Sequence, residues 1–225
     1  MGQAIGGSLA LAIGIALSPV PIIAVVLMLT THRARVNGPV FVLGWLAGLA
    51  VVGAIVLCIA GPSGASSDGG PATWLSWLKV VLGAALVLVA ARQFRGRPKH
   101  AGQAALPKWM ATIDTIKPPA AFGLAAVLAG ANPKNLLLAV GGAASIAQTG
   151  ISGGQQVIAY AVFALIGTLG VVAPVGIYFA MGERATRILC GLKNWMGQHN
   201  AVIMSVLCLV IGAKLIGDAI TGLTG

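Results

Sequence analysis

Ala16-Leu17-Ser18-Pro19-Val20-Pro21 and Gly130-Ala131-Asn132-Pro133-Lys134 are the two stretches on which the fold turns. Each lies near the middle of an apolar block, the first running approximately 4–30 and the second 119–149. Proline has no N–H to donate and disfavours helical geometry in the residue before it. A helix carried through either stretch therefore kinks or unwinds and frees backbone carbonyls. The first block, about 27 residues long, would span roughly 40 Å as a straight helix, more than a hydrocarbon core of about 30 Å requires. Pro19 and Pro133 are 114 positions apart, about half of the 225-residue chain.

Four more apolar blocks, approximately 39–60, 74–94, 155–181 and 199–222, complete a set of six. With 58% apolar residues, 8% charged residues and a mean hydropathy of +0.96, the chain departs far from the soluble balance of about a quarter charged. A water-soluble globule could not hide so much apolar surface. Helices are the expected element, because in lipid each satisfies its own backbone groups. The predicted fold class is an all-α membrane protein forming one transmembrane domain over residues 1–225. Repeat one covers about 4–94, a cytoplasmic linker about 95–118 and repeat two about 119–222. Because three crossings separate equivalent blocks, the halves form a 3+3 inverted repeat, with helices one and four broken at their proline motifs. Block one is not a cleavable signal, since Met1–Gly7 carries no Lys or Arg and the apolar run is too long.

Charge gives the orientation. Eleven of the 14 basic residues fall at the first, third and fifth joints: Arg33, Arg35, Arg92, Arg95, Arg97, Lys99, Lys108, Lys117, Arg184, Arg187 and Lys193. The second joint, Gly61–Thr73, and the fourth, near Gly150–Gly154, hold none, and Asp68 is their one charge. By the positive-inside rule the odd joints are cytoplasmic, and both termini lie outside an inner (plasma) membrane. The net charge of +10 is thus spread over membrane-flanking loops, which fits topology and anionic head groups and no nucleic-acid partner. Lys108–Ile116 and Glu183–Gln198 have helical apolar spacing and are expected to lie as interfacial helices on the cytoplasmic leaflet.

Matched interruptions in two inverted halves point to a transporter site near the midplane. Lys134 strengthens that reading, since an amine near the middle of a span costs about 2.5 to 3.5 kcal/mol on insertion scales and needs a cavity or partner. It either binds the anionic part of a substrate, aided by the N-terminal end of the half-helix starting near Asn135, or bonds carbonyls freed around Ser18 and Pro19. Asp218 is a candidate coupling carboxylate and equally half of an i,i+4 pair with Lys214. Lys79 is expected to snorkel to the surface, and Glu183 to pair with Arg184 and Arg187.

Cys58, Cys190 and Cys208 form no redox or zinc spacing and read as buried fillers. His32, His100 and His199 sit in cytoplasmic joints without ligand partners, so no metal, cofactor or catalytic residue is expected. Gly44 and Gly48 form a GxxxG, and Gly141, Gly142, Gly167 and Gly170 add further small surfaces for close helix packing.

The run from Ser18 to Leu29, followed by Arg33-Ala34-Arg35-Val36-Asn37-Gly38 and Leu43-Gly44-Trp45-Leu46-Ala47-Gly48, resembles the actinobacterial GAP, or sulfolipid-addressing, family of the LysE-type transporter superfamily. Ala131-Asn132-Pro133-Lys134-Asn135-Leu136-Leu137-Leu138, Gly182-Glu183-Arg184-Ala185 and Gly212-Ala213-Lys214-Leu215-Ile216-Gly217 carry the likeness through the second half. The resemblance implies a six-helix LysE-like fold and outward delivery of cell-envelope glycolipids or lipids. It assigns Ser18, Pro19, Pro21, Asn132, Pro133, Lys134 and Asn135 to the translocation site. Amino-acid exporters of the superfamily share Asn-Pro-Lys but have a first motif closer to Pro-Gly-Pro, where this chain has Val20.

The expected function is export or flipping of an anionic envelope glycolipid or lipid precursor by alternating access. The rivals are a LysE-type exporter of amino acids or small polar metabolites, and a non-transporting scaffold for an envelope-lipid machine. No nucleotide-binding loop is present for direct ATP hydrolysis, and no paired carboxylates or Ser-Lys dyad for an intramembrane enzyme. The expected partners are membrane lipids, an anionic lipid or small-molecule substrate, and a second copy of the chain in a homodimer.

Overall fold

A computed structural model describes residues 1–60, 73–96, 113 and 115–224, with Glu183 described in its backbone alone. Within them lie eight helices and no strand: α1 (Gly2–Ala16), α2 (Pro19–Leu29), α3 (Ala34–Ala60), α4 (Thr73–Arg95), α5 (Pro118–Gly130), α6 (Pro133–Ala147), α7 (Gly153–Met181) and α8 (Glu183–Thr224). Four of them, α3, α4, α7 and α8, are long and apolar enough to cross a membrane unaided. The short helices come in consecutive pairs, α1 with α2 bent by 49° and α5 with α6 bent by 63°, which brings the spans to six if each pair counts as one. Leu43, Val51, Ile59, Leu88, Val157 and Val210 all face outward. So large an apolar exterior is what a multi-pass membrane protein presents to lipid.

Glycines fix how the helices lie on one another. A Cβ on Gly44 or Gly48 would run into the α5 backbone at Phe122 and Ala126, and one on Gly170 would run into the Ala16 carbonyl of α1. Such contacts let α3 lie parallel to α5, and α7 parallel to α1, at close backbone approach. Along α4 and α8 the register runs oppositely, Gly83 meeting Gly212 and Ile216 while Ser76 meets Gly222. Gly38 faces Val175 and Gly53 faces Tyr160, so α3 and α7 are antiparallel. These registers bring the start of α3, α5 and α8 to one end with the finish of α4 and α7. That end carries Arg33, Arg35, Arg92, Arg95, Lys117, Arg184 and Arg187, and we call it the basic end.

The half-helices occupy the interior. Nine of the 11 residues of α2 are buried, and α6 buries 11 of its 15. The long helices and α1 and α5 wrap them. At the α7–α8 turn Gly182 adopts φ +56°, a conformation that an L side chain resists.

Three sequence expectations need correction. Glu183–Gln198 is not a separate interfacial helix, because α8 runs unbroken from Glu183 to Thr224; no proline interrupts it and its apolar character continues into the last span. Lys79 does not snorkel: it is 6% exposed, because α4 packs along its length on α8 and turns that face inward. Cys58 is exposed, while Cys190 is half-buried and Cys208 buried. The other expected interfacial helix, Lys108–Ile116, falls mostly outside the described residues, as do Asp68, His100 and the side chain of Glu183.

Candidate functional site

The break in the first pair leaves specific carbonyls without partners. Leu17 N donates to Ile13 O and Ser18 N turns back to Ile15 O, three residues away. Gly14 O thereby loses the donor a continuing helix would give it from residue 18. Pro19 and Pro21 have no N–H to offer the carbonyls four residues before them. Into this gap comes Lys134, whose Nζ donates to the Gly14 carbonyl at 2.8 Å.

A second gap arises at the other break. Ala131 N and Asn132 N both donate to Val127 O, so Leu128 O is passed over. Asn135 Nδ2 fills that place at 2.9 Å. Gly14 and Leu128 are separated by 114 positions, the same interval as Pro19 and Pro133. Equivalent carbonyls on the two bent pairs are thus capped by two consecutive side chains at the start of α6.

The local fold of α6 explains why those side chains are available. Asn132 is its N-cap and accepts from Lys134 N at 3.2 Å, Pro133 takes the first helical position, and the next turn is directed inward. Lys134 is 2% exposed and Asn135 fully buried. Gly14, the partner of Lys134, packs against Leu138 of α6 and Ile211 of α8, and the Cys208 thiol lies within electrostatic reach of the amine. Among the described residues the Gly14 carbonyl is the one hydrogen-bond partner of Nζ, and no carboxylate pairs with it. Asn135 Oδ1, buried beside it in the chain, has no hydrogen-bond partner among the described residues.

The other expected site residues fall into two groups. Ser18, Pro19 and Pro21 are buried at the start of α2, yet none bonds to Lys134, and the link between the motifs runs through Gly14. Pro133 is exposed and Asn132 half-buried, shaping the turn. Asp218 stands apart: it pairs with Lys214 at 2.5 Å toward the end opposite the basic one. Lys214 also donates to Gly7 O at 3.2 Å, two turns along α1 from Gly14. Gly14 escaped the sequence reading, although counting 114 positions back from Leu128 leads straight to it.

Two cavities lie elsewhere among the described residues, and neither is lined by Lys134 or Gly14. A groove of about 990 Å³ lies between α3 and α7, with Leu46, Ala54, Leu57, Val157 and Leu165 among its walls. Tyr160 closes its inner side by donating to Leu49 O at 2.8 Å. At the basic end a cavity of about 510 Å³ is lined by Thr30, Thr31, Arg35, Tyr178 and Thr186.

A family model described as Sap, sulfolipid-1-addressing protein (SfLAP), matches residues 9–221. The match covers both breaks, Lys134 and the Lys214–Asp218 pair, and the chain belongs to this family. No curated protein and no solved structure gives a significant match.

Proposed function

Starting from a member of the sulfolipid-1-addressing family, we propose that the chain carries an anionic, lipid-linked cell-envelope precursor outward across the plasma membrane by alternating exposure of a site at Lys134. The observation that carries this reading is a membrane-buried amine held, among the described residues, by a single backbone carbonyl and no counter-ion. Structural amines in lipid normally pair or reach the interface. An ammonium group has three donors, and Gly14 takes one. The remaining donors and the uncompensated charge suit a sulfate, phosphate or carboxylate group. The N-terminal end of α6 adds positive potential at the same place.

The architecture we infer is two three-span halves threaded in opposite senses, with the bent pairs as broken spans and a LysE-like relationship between the halves. In support, α3 lies along α5 as α7 lies along α1, and the capped carbonyls of the two pairs share one offset. Clustering of Arg and Lys at one end supports placing that end in the cytoplasm and both termini outside. The apolar groove between α3 and α7 favours a cargo with acyl chains over a free amino acid, since such chains can remain in the bilayer while the head group crosses.

The test is reconstitution of the purified chain in liposomes with a fluorescent anionic lipid in one leaflet and, separately, labelled basic and neutral amino acids in the lumen. Lipid translocation that disappears in Lys134→Met supports the proposal. Amino-acid efflux without lipid movement would establish the small-solute exporter in its place. Unchanged lipid movement in Lys134→Met would remove the site.

A further inference from the structure

Eleven of the 14 basic residues belong to the first, third and fifth joints of the sequence, and the other three, Lys79, Lys134 and Lys214, stand within its apolar blocks. Two of these lysines grip the same face of α1. Lys134 donates to Gly14 O and Lys214 to Gly7 O, carbonyls seven residues apart and so about 10 Å distant along one stripe of the helix. The helix interval between them is closed by side chains. Leu11 and Leu215, both fully buried, converge on Gly141, and Ile211 and Leu138 converge on Gly14.

Lys79 joins the upper position from α4. The α4–α8 register, Ser76 beside Gly222 and Gly83 beside Gly212 and Ile216, brings Lys79 opposite Asp218. It lies within electrostatic reach of both Asp218 and Lys214. One amine, Lys214, therefore bonds the carboxylate and a second, Lys79, faces it at longer range, and the three residues differ in access. Lys79 is 6% exposed, while the side chains of Lys214 and Asp218 are 31% and 34% exposed. The carboxylate sits at the open side of the cluster and can swing away. The buried amine cannot.

We propose that Lys79 and Lys214 form a second anion site, an exit station for the sulfate, phosphate or carboxylate group of the cargo, and that Asp218 occupies it as a resident substitute until the cargo displaces it. This rests on the reading of Lys134 as the midplane anion site. Leu11, Leu215 and Ile211 separate the two stations as an apolar plug. The cargo head group passes from Lys134 to the Lys79–Lys214 pair when that plug parts. Asp218 then turns outward, and its return expels the head group.

Binding to the full chain in phosphatidylcholine nanodiscs tests this with two probes, radiolabelled inorganic sulfate in solution and a sulfated glycolipid in the bilayer. Asp218→Asn removes the competing carboxylate at nearly constant size. It is expected to tighten binding of at least one probe by about two- to fivefold, in line with the loss of one partly exposed ion-pair competitor. A gain for sulfate identifies a soluble anion as sufficient, and a gain confined to the glycolipid shows that the head group needs its membrane anchor. Adding Lys214→Gln or Lys79→Gln to Asp218→Asn should abolish the gain. Lys214 is the half-exposed partner, so its variant remains informative if Lys79→Gln misfolds. No gain with Asp218→Asn, or a gain that survives loss of both lysines, overturns the exit station. The Lys134→Met background separates the two claims. A gain that persists there keeps this site even if lipid movement proves independent of Lys134, whereas lipid movement lost with Lys134 and no Asp218→Asn gain keeps the midplane site alone.

Discussion

Lys134 Nζ and Gly14 O meet at 2.8 Å across 120 residues of sequence, joining the first turn of the interior half-helix α6 to the last turn of α1. The bond answers two needs at once: a carbonyl orphaned by a break, and an amine that lipid would not tolerate alone. Either need by itself would give a structural contact. The mismatch between them, a charged amine against a neutral acceptor, is the feature on which the proposed anion site rests.

Lys134→Met should separate folding from function. It removes the desolvated charge, worth about 2.5 to 3.5 kcal/mol on insertion scales, and leaves Gly14 O unsatisfied, which costs about 1 to 3 kcal/mol. These nearly cancel, so thermal unfolding in detergent should place the variant within about 1 kcal/mol of the parent while lipid translocation is lost. A variant that fails to fold would show that the amine serves the break alone.

Asn135→Ala removes the cap on Leu128 O and puts nothing in its place. Destabilisation of about 1 to 2 kcal/mol is expected, read as a lower midpoint in SDS unfolding. Asn135→Asp keeps the shape, loses the donor and adds charge, so it should be at least as damaging. Parent-like stability in both would mean that Leu128 O has another donor.

Gly170 and Gly176 lie on the same helix and should respond oppositely to alanine. At Gly170 the new methyl meets the Ala16 carbonyl, whereas at Gly176 it meets nothing within 4 Å. Gly170→Ala should lose about 1 to 3 kcal/mol through forced backbone shifts, and Gly176→Ala should gain about 0.5 to 1 kcal/mol from a less flexible unfolded chain. Steric-trap unfolding in bicelles distinguishes them, and equal responses would contradict the α1–α7 packing.

Filling the lateral groove tests the lipid-linked cargo. Ala54 is exposed on the wall of the cavity between α3 and α7. Ala54→Trp should slow translocation of a two-chain anionic lipid severalfold, with a smaller effect on a single-chain analogue, as measured by leaflet-specific fluorescence quenching. An unaffected rate would remove the groove from the lipid's path.

Much of this was legible in the residues. Block lengths, the positions of both interruptions and the special standing of Lys134 all follow from rules that act locally: proline lacks a donor, and an apolar run of a given length suits a bilayer. What escaped was pairwise. Lys79 reads as a snorkelling lysine when α4 is viewed alone, and only its register against α8 puts Asp218 opposite. The sequence directs the structural bond of Lys134 to carbonyls around Ser18 and Pro19, whereas the orphan lies at Gly14 because Ser18 N turns back to Ile15 O. Helix Glu183–Thr224 reads as two pieces because its first part is amphipathic, although no proline within it stops a helix.

The two caps differ in when they become available. Leu128 O is served by a side chain seven residues further on, so that bend can be completed as soon as its own segment emerges. Gly14 O must wait for residue 134, and at a synthesis rate of about 5 to 20 residues per second the interval is on the order of ten seconds. Throughout that time the nascent first segment carries an open carbonyl within the membrane, and whatever guards it during insertion must give way when the lysine arrives.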